Sequence, residues 1–218
     1  MDFTQLTSEP LHEQAYATLR NALLAGRLSP GQSLTIRGLG ASLGISATPV
    51  REALQRLIAE GALELAANRT IQVPVMTRSR FVEVTEIRLR LERFAAEAAA
   101  AHADAALCDQ LQTLSERMHA AISEGRFPDY LADNQTFHFL IYEASGLPYL
   151  QQLIGLCWLR TGPWLNRLAQ EGRFHAIANE EHDNMITALR RGDAQAASEA
   201  TGRDIGDTAD VLVELLPF

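Results

Sequence analysis

The chain has 218 residues, of which 47% are hydrophobic, and it carries a formal net charge of −8. This length exceeds one average domain and the apolar content is ample for a core, whereas an acidic chain is a poor candidate for non-specific nucleic-acid binding. We find neither a run of about 18 apolar residues nor a charged-then-apolar leader, so we expect a cytoplasmic protein without membrane contact.

The charges are distributed unevenly along the chain. Residues 1–75 carry six Arg and six acidic residues, so the whole negative balance belongs to the remainder. Any DNA affinity therefore has to come from a local cluster of Arg on the neutral N-terminal segment.

Residues 26–61 predict a helix-turn-helix, because two short amphipathic segments flank a glycine turn. The apolar sets are Leu39, Leu43 and Ile45, and then Val50, Leu54, Leu57 and Ile58. The second set recurs at helical spacing, which leaves the opposite face of that helix free to enter a major groove. We expect Ser46 or Thr48 to cap this helix, and Ser46, Thr48 and Arg51 to contact DNA.

Two short apolar runs follow, at 63–65 and 71–75, and they are separated by Ala67, Asn68 and Arg69. This pattern predicts a small hairpin, or wing, with Arg69 near its tip. An ordinary helical hairpin without a DNA role is the alternative interpretation, since helix-turn-helix look-alikes are common in α proteins.

Beyond a short linker at 74–79 the pattern is helical throughout. The pattern predicts six helices, at 79–102, 104–124, 128–145, 148–170, 174–191 and 194–215, and all but the first of the breaks between them contain glycine. We therefore predict a mostly α protein with two domains, an N-terminal winged helix-turn-helix at 8–75 and an all-α helical bundle at 79–216. Cys108 and Cys157 lie in these helices without a CxxC spacing and are predicted to be free thiols.

Four polar side chains fall on apolar stripes of the predicted bundle. Asn134 and His138 are four residues apart on one helix and share a face. His182 precedes Asp193 by eleven residues and Asp204 follows it by eleven, so an antiparallel turn there would place both side chains roughly 16 Å from the turn. With Asn134 and His138 facing them, these residues would form an N/O cluster suited to a divalent transition metal with open positions.

Two other interpretations of this cluster stay open. A metal-free ion pair between His182 and Asp204 would satisfy both groups, since buried His is more often hydrogen-bonded than metal-bound. Alternatively, His138, His182 and Asp204 could hold a metal that activates water for hydrolysis, although no separate general base is evident. The other histidines, His12, His102, His119 and His175, show no comparable setting.

The string PGQSLTIRGLGASLGISATPVREALQRLIAEGALEL closely resembles the winged helix of the GntR family of bacterial transcription regulators. The resemblance covers roughly residues 8–75, and TPVREAL is its most specific part. It implies DNA contacts from Arg37, Ser46, Thr48 and Arg51. The sequence departs from the family at Ala47, where Arg is frequent, and in a wing that is poorer in Gly, so one base contact is expected to be missing.

Four further segments resemble the FCD effector domain of the FadR-type branch: EIRLRLE at 86–92, NQTFH at 134–138, EEH at 180–182 and ALRRGD at 188–193. The resemblance implies a metal held by Asn134, His138, His182 and Asp204. Two of these differ from the usual set, because Asn134 replaces an Asp and Asp204 replaces a His. Zn²⁺, Ni²⁺ or Mn²⁺ would be expected, since they accept mixed N/O ligands.

The resemblance also implies a function. It predicts a homodimeric regulator, not an enzyme, that reads a palindromic operator in double-stranded DNA and responds to a small carboxylate metabolite. Arg88 matches the family's Arg on the first bundle helix and would clamp the carboxylate oxygens; the alternative is a solvated surface charge. A regulator whose bundle only dimerises, without metal, is the competing hypothesis.

Overall fold

A computed structural model describes residues 9–67, 69–170 and 180–216 of the chain, and within these residues it contains nine helices and one small sheet. The N-terminal head comprises α1 to α3 and three short strands, and the C-terminal bundle comprises α4 to α9. The expectation of a mostly α protein with a winged helix-turn-helix head is confirmed.

The head contains α1 (Leu11–Leu24), β1 (Ser33–Leu34), α2 (Ile36–Leu43), α3 (Ala47–Ala59), β2 (Glu64–Leu65) and β3 (Ile71–Gln72). The strands form an antiparallel sheet in the order β1-β3-β2, with Ser33 and Glu64 both opposite Gln72. Val50, Leu54 and Leu57 are fully buried, as their helical spacing predicts. The residue pattern did not predict α1 or β1, which complete the core and the sheet of the head.

The turn between α2 and α3 has the expected glycine, because Gly44 adopts a left-handed conformation with φ 68°. Thr35 caps α2 by accepting a hydrogen bond from the backbone N–H of Gly38. Ser46 is the N-cap residue of α3, but its side chain accepts no capping hydrogen bond. Our capping expectation is therefore wrong for Ser46, whose exposed position lets water satisfy the helix N–H groups instead.

The bundle contains α4 (Arg78–Ala99), α5 (Ala105–Ser123), α6 (Phe127–Ala144), α7 (Pro148–Gln170), α8 (Glu180–Arg190) and α9 (Ala194–Leu215). Thr77, Asp104 and Asp193 cap α4, α5 and α9 with their side chains. These bounds agree with the prediction to within a few residues. Residues 174–179 of the predicted fifth bundle helix lie outside the described chain.

The packing of the bundle brings its polar positions together. α4 packs against α6, α7 and α9, while α8 and α9 form a hairpin that turns at Gly192, where φ is 64°. In addition, α1 of the head packs against α7 of the bundle. None of the described helices is long and apolar enough to cross a membrane, and the cytoplasmic location stays a prediction.

Candidate metal centre and DNA-reading helix

Three of the four predicted metal ligands meet in the bundle core. His138 lies on α6, His182 on α8 and Asp204 on α9. Nε2 of His138 is 3.3 Å from Oδ2 of Asp204 and 3.3 Å from Nε2 of His182, and Nε2 of His182 is 3.5 Å from Oδ1 of Asp204. The hairpin of α8 and α9 thus places His182 beside Asp204, as equal spacing from Asp193 predicts.

The distances among these atoms fit a small transition ion. Ligand atoms at about 2.1 Å from a tetrahedral metal are separated by about 3.4 Å. Nε2 of His138 lies 3.3 Å from Nε2 of His182 and from Oδ2 of Asp204, and one ligand atom from each residue lies within 4.8 Å of the other two. Two imidazole nitrogens and one carboxylate also form the mixed donor set that such ions accept, with positions left open for another ligand. The residues present therefore fit a divalent metal.

The electrostatics of the cluster favour metal-competent protonation states. Burial lowers the pKa of His182 to about 4, so its imidazole is neutral at neutral pH and its lone pair is available. Burial by itself would raise the pKa of Asp204, but His182, His138 and Arg88 lower it to about 2. Asp204 is therefore an anion throughout the physiological range.

Asn134 lies one helical turn before His138 and is buried. It lines the same cavity as His138 and Asp204. Its role as a fourth ligand stays a prediction, and its neutral amide is a weaker ligand than the carboxylate that the family usually has there.

Arg88 on α4 faces this cavity and is only 8% exposed, so the interpretation of Arg88 as a solvated surface charge is wrong. Its Nε donates to Oε1 of Glu92 at 2.6 Å and its Nη2 donates to Oε2 at 3.3 Å. Nη1 donates to Oγ1 of Thr161 at 3.4 Å, and the guanidinium lies 4.8 Å from the ring centre of Trp158. Arg88 is thus buried beside the candidate metal centre with its charge paired internally.

Sequence reasoning missed Glu92 and Tyr142 as members of this network. Glu92 is completely buried, and the hydroxyl of Tyr142 donates to its Oε2. Burial would lower the pKa of Arg88, but Glu92, Tyr142 and Asp204 raise it above its ordinary value. The four-residue spacing between Arg88 and Glu92 was a usable signal, because it places the two side chains on one helical face.

The cavity lined by Arg88, Asn134, His138 and Asp204 is small, with a volume of about 30 Å³. Its other lining residues include Tyr130, Leu131, Trp158, Leu165 and Leu168. This volume suffices for an ion and very little water, whereas sites for organic ligands typically measure hundreds of Å³. An organic ligand would therefore require cavity-lining side chains to move.

The predicted DNA-contacting residues lie on the exposed side of the head. Arg37 is in the first turn of α2, while Ser46, Thr48 and Arg51 lie at the start of α3, and all four are exposed. Arg69 is exposed between β2 and β3 and has a positive φ of 63°. This is the arrangement in which a recognition helix and a wing approach a duplex together.

Arg56 of the same helix has a different environment. Its Nη1 lies 2.9 Å from Oε2 of Glu13, and its guanidinium lies 3.7 Å from the ring centre of Tyr16, so Arg56 holds α3 to α1. It therefore serves as an internal comparison for the exposed Arg51.

Comparison with known proteins gives two family matches. Residues 11–73 match the gntR family of bacterial regulatory proteins, and residues 83–207 match the FCD domain. The HTH-type transcriptional regulator McbR of Escherichia coli (strain K12) is 32% identical over 182 residues, which cover 81% of each chain. The HTH-type transcriptional repressor GlaR of the same strain is 23% identical over 84% of this chain and 87% of its own.

The fold comparison agrees with these matches. The solved structure of E. coli McbR/YncC superposes with a TM-score of 0.87 at 29% identity, and covers 95% of this chain and 99% of that chain. A putative GntR regulator from Rhodococcus sp. RHA1 superposes with a TM-score of 0.75 at 20% identity, covering 94% of this chain and 99% of that chain, which supports the fold.

Proposed function

Since the chain belongs to the GntR family of bacterial transcription regulators, in the FadR-type branch with an FCD domain, we propose that a small carboxylate metabolite bound at a divalent metal in its bundle controls its affinity for an operator. The protein is a DNA-binding regulator and not an enzyme, so the hydrolase interpretation of His138, His182 and Asp204 is wrong. The observation that carries the proposal is the cluster of the buried His138 and His182 with the partly buried Asp204, whose ligand atoms lie within 4.8 Å of one another beside the buried Arg88.

The candidate metal ligands and Arg88 have different roles in effector binding. His138, His182 and Asp204 hold the metal, with Asn134 as an additional weak ligand, and Zn²⁺, Ni²⁺ or Mn²⁺ suit the donor set. A bound metal would offer an open position to one carboxylate oxygen. Arg88 lies on the wall of the same cavity and would donate a hydrogen bond to the other oxygen.

The head reads DNA through the first turns of α2 and α3. Arg37, Ser46, Thr48 and Arg51 contact the major groove and adjacent phosphates, and Arg69 of the wing contacts the neighbouring backbone. We expect a homodimer, because two heads related by a two-fold axis match a palindromic operator and a single small head buries little DNA surface.

A metal-free regulator is the second candidate. It is supported by the contacts of Asp204, because its two carboxylate oxygens lie 3.3 Å from Nε2 of His138 and 3.5 Å from Nε2 of His182, close enough to pair with both imidazoles directly. In that case the cluster would only stabilise the bundle, and the bundle would only dimerise. Elemental analysis of protein purified without chelator separates the two candidates.

The test of the whole proposal is a DNA titration in the presence of candidate acids. Small organic acids are screened by thermal shift with the Zn²⁺-loaded protein, and the best stabiliser is added to anisotropy titrations of the DNA upstream of the gene. We expect specific binding to an inverted repeat and a five- to 150-fold change in affinity, corresponding to a coupling of about 1–3 kcal/mol. Binding no tighter than to random DNA would refute the regulator proposal, and a stabilising acid without effect on DNA affinity would refute the effector proposal.

A further inference from the structure

Two faces of helix α7 contact different parts of the protein. One face lines the cavity of the candidate metal centre through Trp158, Leu165 and Leu168, and Thr161 accepts a hydrogen bond from Arg88. The other face packs against the DNA-binding head. The same rigid element therefore contacts both the cavity and the head.

Near the C-terminal end of α1, backbone atoms of α7 and α1 come into close contact. A Cβ atom added at Gly162 would lie 2.6 Å from the carbonyl oxygen of Leu23 and 2.9 Å from that of Leu24. A Cβ atom added at Gly26 would lie 2.9 Å from the carbonyl oxygen of Gly162. At Gly162 the nearest atoms are backbone carbonyls rather than a flexible side chain, so a shift of α7 against the end of α1 would meet rigid atoms.

A second contact connects α7 directly to the recognition helix. Nη2 of Arg160 donates to the backbone carbonyl of Glu60 at 2.9 Å, and Glu60 is the C-cap residue of α3. Nη1 of the same guanidinium donates to the carbonyl of Leu156 at 2.7 Å, which holds the side chain against its own helix. Arg160 thus fixes the end of α3 opposite to the end that carries Ser46, Thr48 and Arg51.

We propose that Gly162 and Arg160 are positioning residues of the regulatory response, which seat the head on α7 so that a shift of α7 at the cavity reorients α3. This inference rests on the proposed function for its input, because the metal centre supplies the shift. The seat, by which we mean the contacts of Gly162 with Leu23 and Leu24 and of Arg160 with Glu60, does not depend on a ligand, since only protein atoms form it. A population shift between two orientations of α7 then changes the spacing of the two heads on the operator.

The test uses substitutions of glycine by alanine in three helical settings of the full-length protein. Gly162→Ala places a methyl group against the fixed carbonyls of Leu23 and Leu24, although alanine is the better helix former. Gly155→Ala, on the same helix, meets only the movable guanidinium end of Arg20, and Gly206→Ala on α9 meets no described atom within 4 Å. The last two are matched controls for the substitution itself.

The first measurement is hydrogen exchange of the backbone amides in the last turns of α1 and α3. We expect Gly162→Ala to accelerate exchange at both sites by about tenfold or more, and both controls to retain the wild-type rates. Arg160→Met introduces no clash and should accelerate exchange in the last turn of α3 alone. If Gly162→Ala prevents folding, the Arg160→Met result decides. Wild-type exchange in every folded variant would overturn the inference.

The second measurement is the ratio of operator affinities with Zn²⁺ and with EDTA. We expect a ratio of at least fivefold in the wild type and below about twofold in Gly162→Ala, with the Zn²⁺ content unchanged. A full ratio in a Gly162→Ala protein with accelerated exchange would show that the response bypasses the seat, and would overturn the positioning role. A ratio of one in the wild type would instead show that the metal alone does not supply the shift, while the exchange data still test the contacts of Gly162 and Arg160.

Discussion

Arg88 and Glu92 lie one turn apart on α4 and form a two-point ion pair that is closed off from solvent, with 9% of the Arg88 side chain and none of the Glu92 side chain exposed. Glu92 thereby accepts from two of the guanidinium's five N–H groups, one on Nε and one on Nη2. An effector carboxylate must therefore bind through the remaining N–H groups of Nη1 and Nη2, or displace Glu92 or Thr161. This pairing keeps Arg88 in place beside the cavity.

We expect Glu92→Gln to lower the free energy of unfolding by about 3 kcal/mol, because it leaves the Arg88 charge buried without a counter-ion. Urea denaturation in EDTA measures this loss. Glu86→Gln is the matched control, since Glu86 pairs with Arg90 at the same spacing on the same helix but both side chains are more than half exposed. The control should cost less than about 1 kcal/mol. Equal losses in the two variants would contradict the role assigned to burial.

Metal content provides the second prediction. His138→Ala and His182→Ala should each remove the bound divalent ion, as measured by elemental analysis, whereas Asn134→Ala should remove less. Zn²⁺ at about one hundred times its Kd should stabilise the wild type by about 2.7 kcal/mol, because the ion binds only the folded state. His102→Ala is the control, since His102 is exposed and its ring Nδ1 lies 3.2 Å from the carbonyl oxygen of Ala98, away from the candidate metal centre. Undiminished metal in a His138/His182 double variant would place the ion elsewhere.

The third prediction concerns the dependence of stability on pH in the absence of metal. Burial lowers the pKa of His182 to about 4 in the folded state, against about 6.5 for an exposed imidazole. The folded state thus disfavours protonation of His182. The contribution of the neutral imidazole to the free energy of unfolding is therefore complete above pH 6.5 and is lost as the pH falls toward 4. It amounts to about 3 kcal/mol by linkage.

His182→Gln should flatten the fall in unfolding free energy between pH 6.5 and about 4, as followed by urea denaturation in EDTA. Asp204 contributes in a lower window, because its pKa is lowered to about 2 and its share is lost only below its unfolded value of about 3.9. An equally steep fall in His182→Gln would show that other groups control stability in the upper window.

The fourth prediction concerns DNA recognition. Arg51→Ala should weaken binding to the operator by about 1–3 kcal/mol, through loss of a base or phosphate contact at the start of α3, and Arg37→Ala should weaken it as well. Arg56→Ala on the same helix should leave the preference for the operator over random DNA unchanged, because Arg56 is bound to Glu13 and Tyr16. The check is an anisotropy titration at fixed salt. Equal effects of Arg51→Ala and Arg56→Ala would argue against the assigned recognition face.

The sequence was sufficient for the local structure and for part of the site. Helical spacing and glycine breaks depend on neighbouring residues, so the helix-turn-helix within residues 26–61 and the bounds of α4 to α7 and α9 could be predicted from the pattern. The proximity of His182 and Asp204 could also be predicted, because a hairpin of two regular helices pairs residues at equal distances from its turn. In contrast, β1 consists of Ser33 and Leu34 alone, and two residues are too few to show an alternating pattern.

Only the tertiary structure decided which groups share the core. Arg88 reaches Thr161 across 73 positions of sequence and Tyr142 reaches Glu92 across 50, and no local pattern encodes such a pairing. The small size of the cavity, and the contacts of α7 with both the cavity and the head, likewise depend on how closely helices from distant parts of the chain approach. Periodicity determines which face of a helix is buried, whereas the atoms it meets there are determined by the close packing of all the helices together.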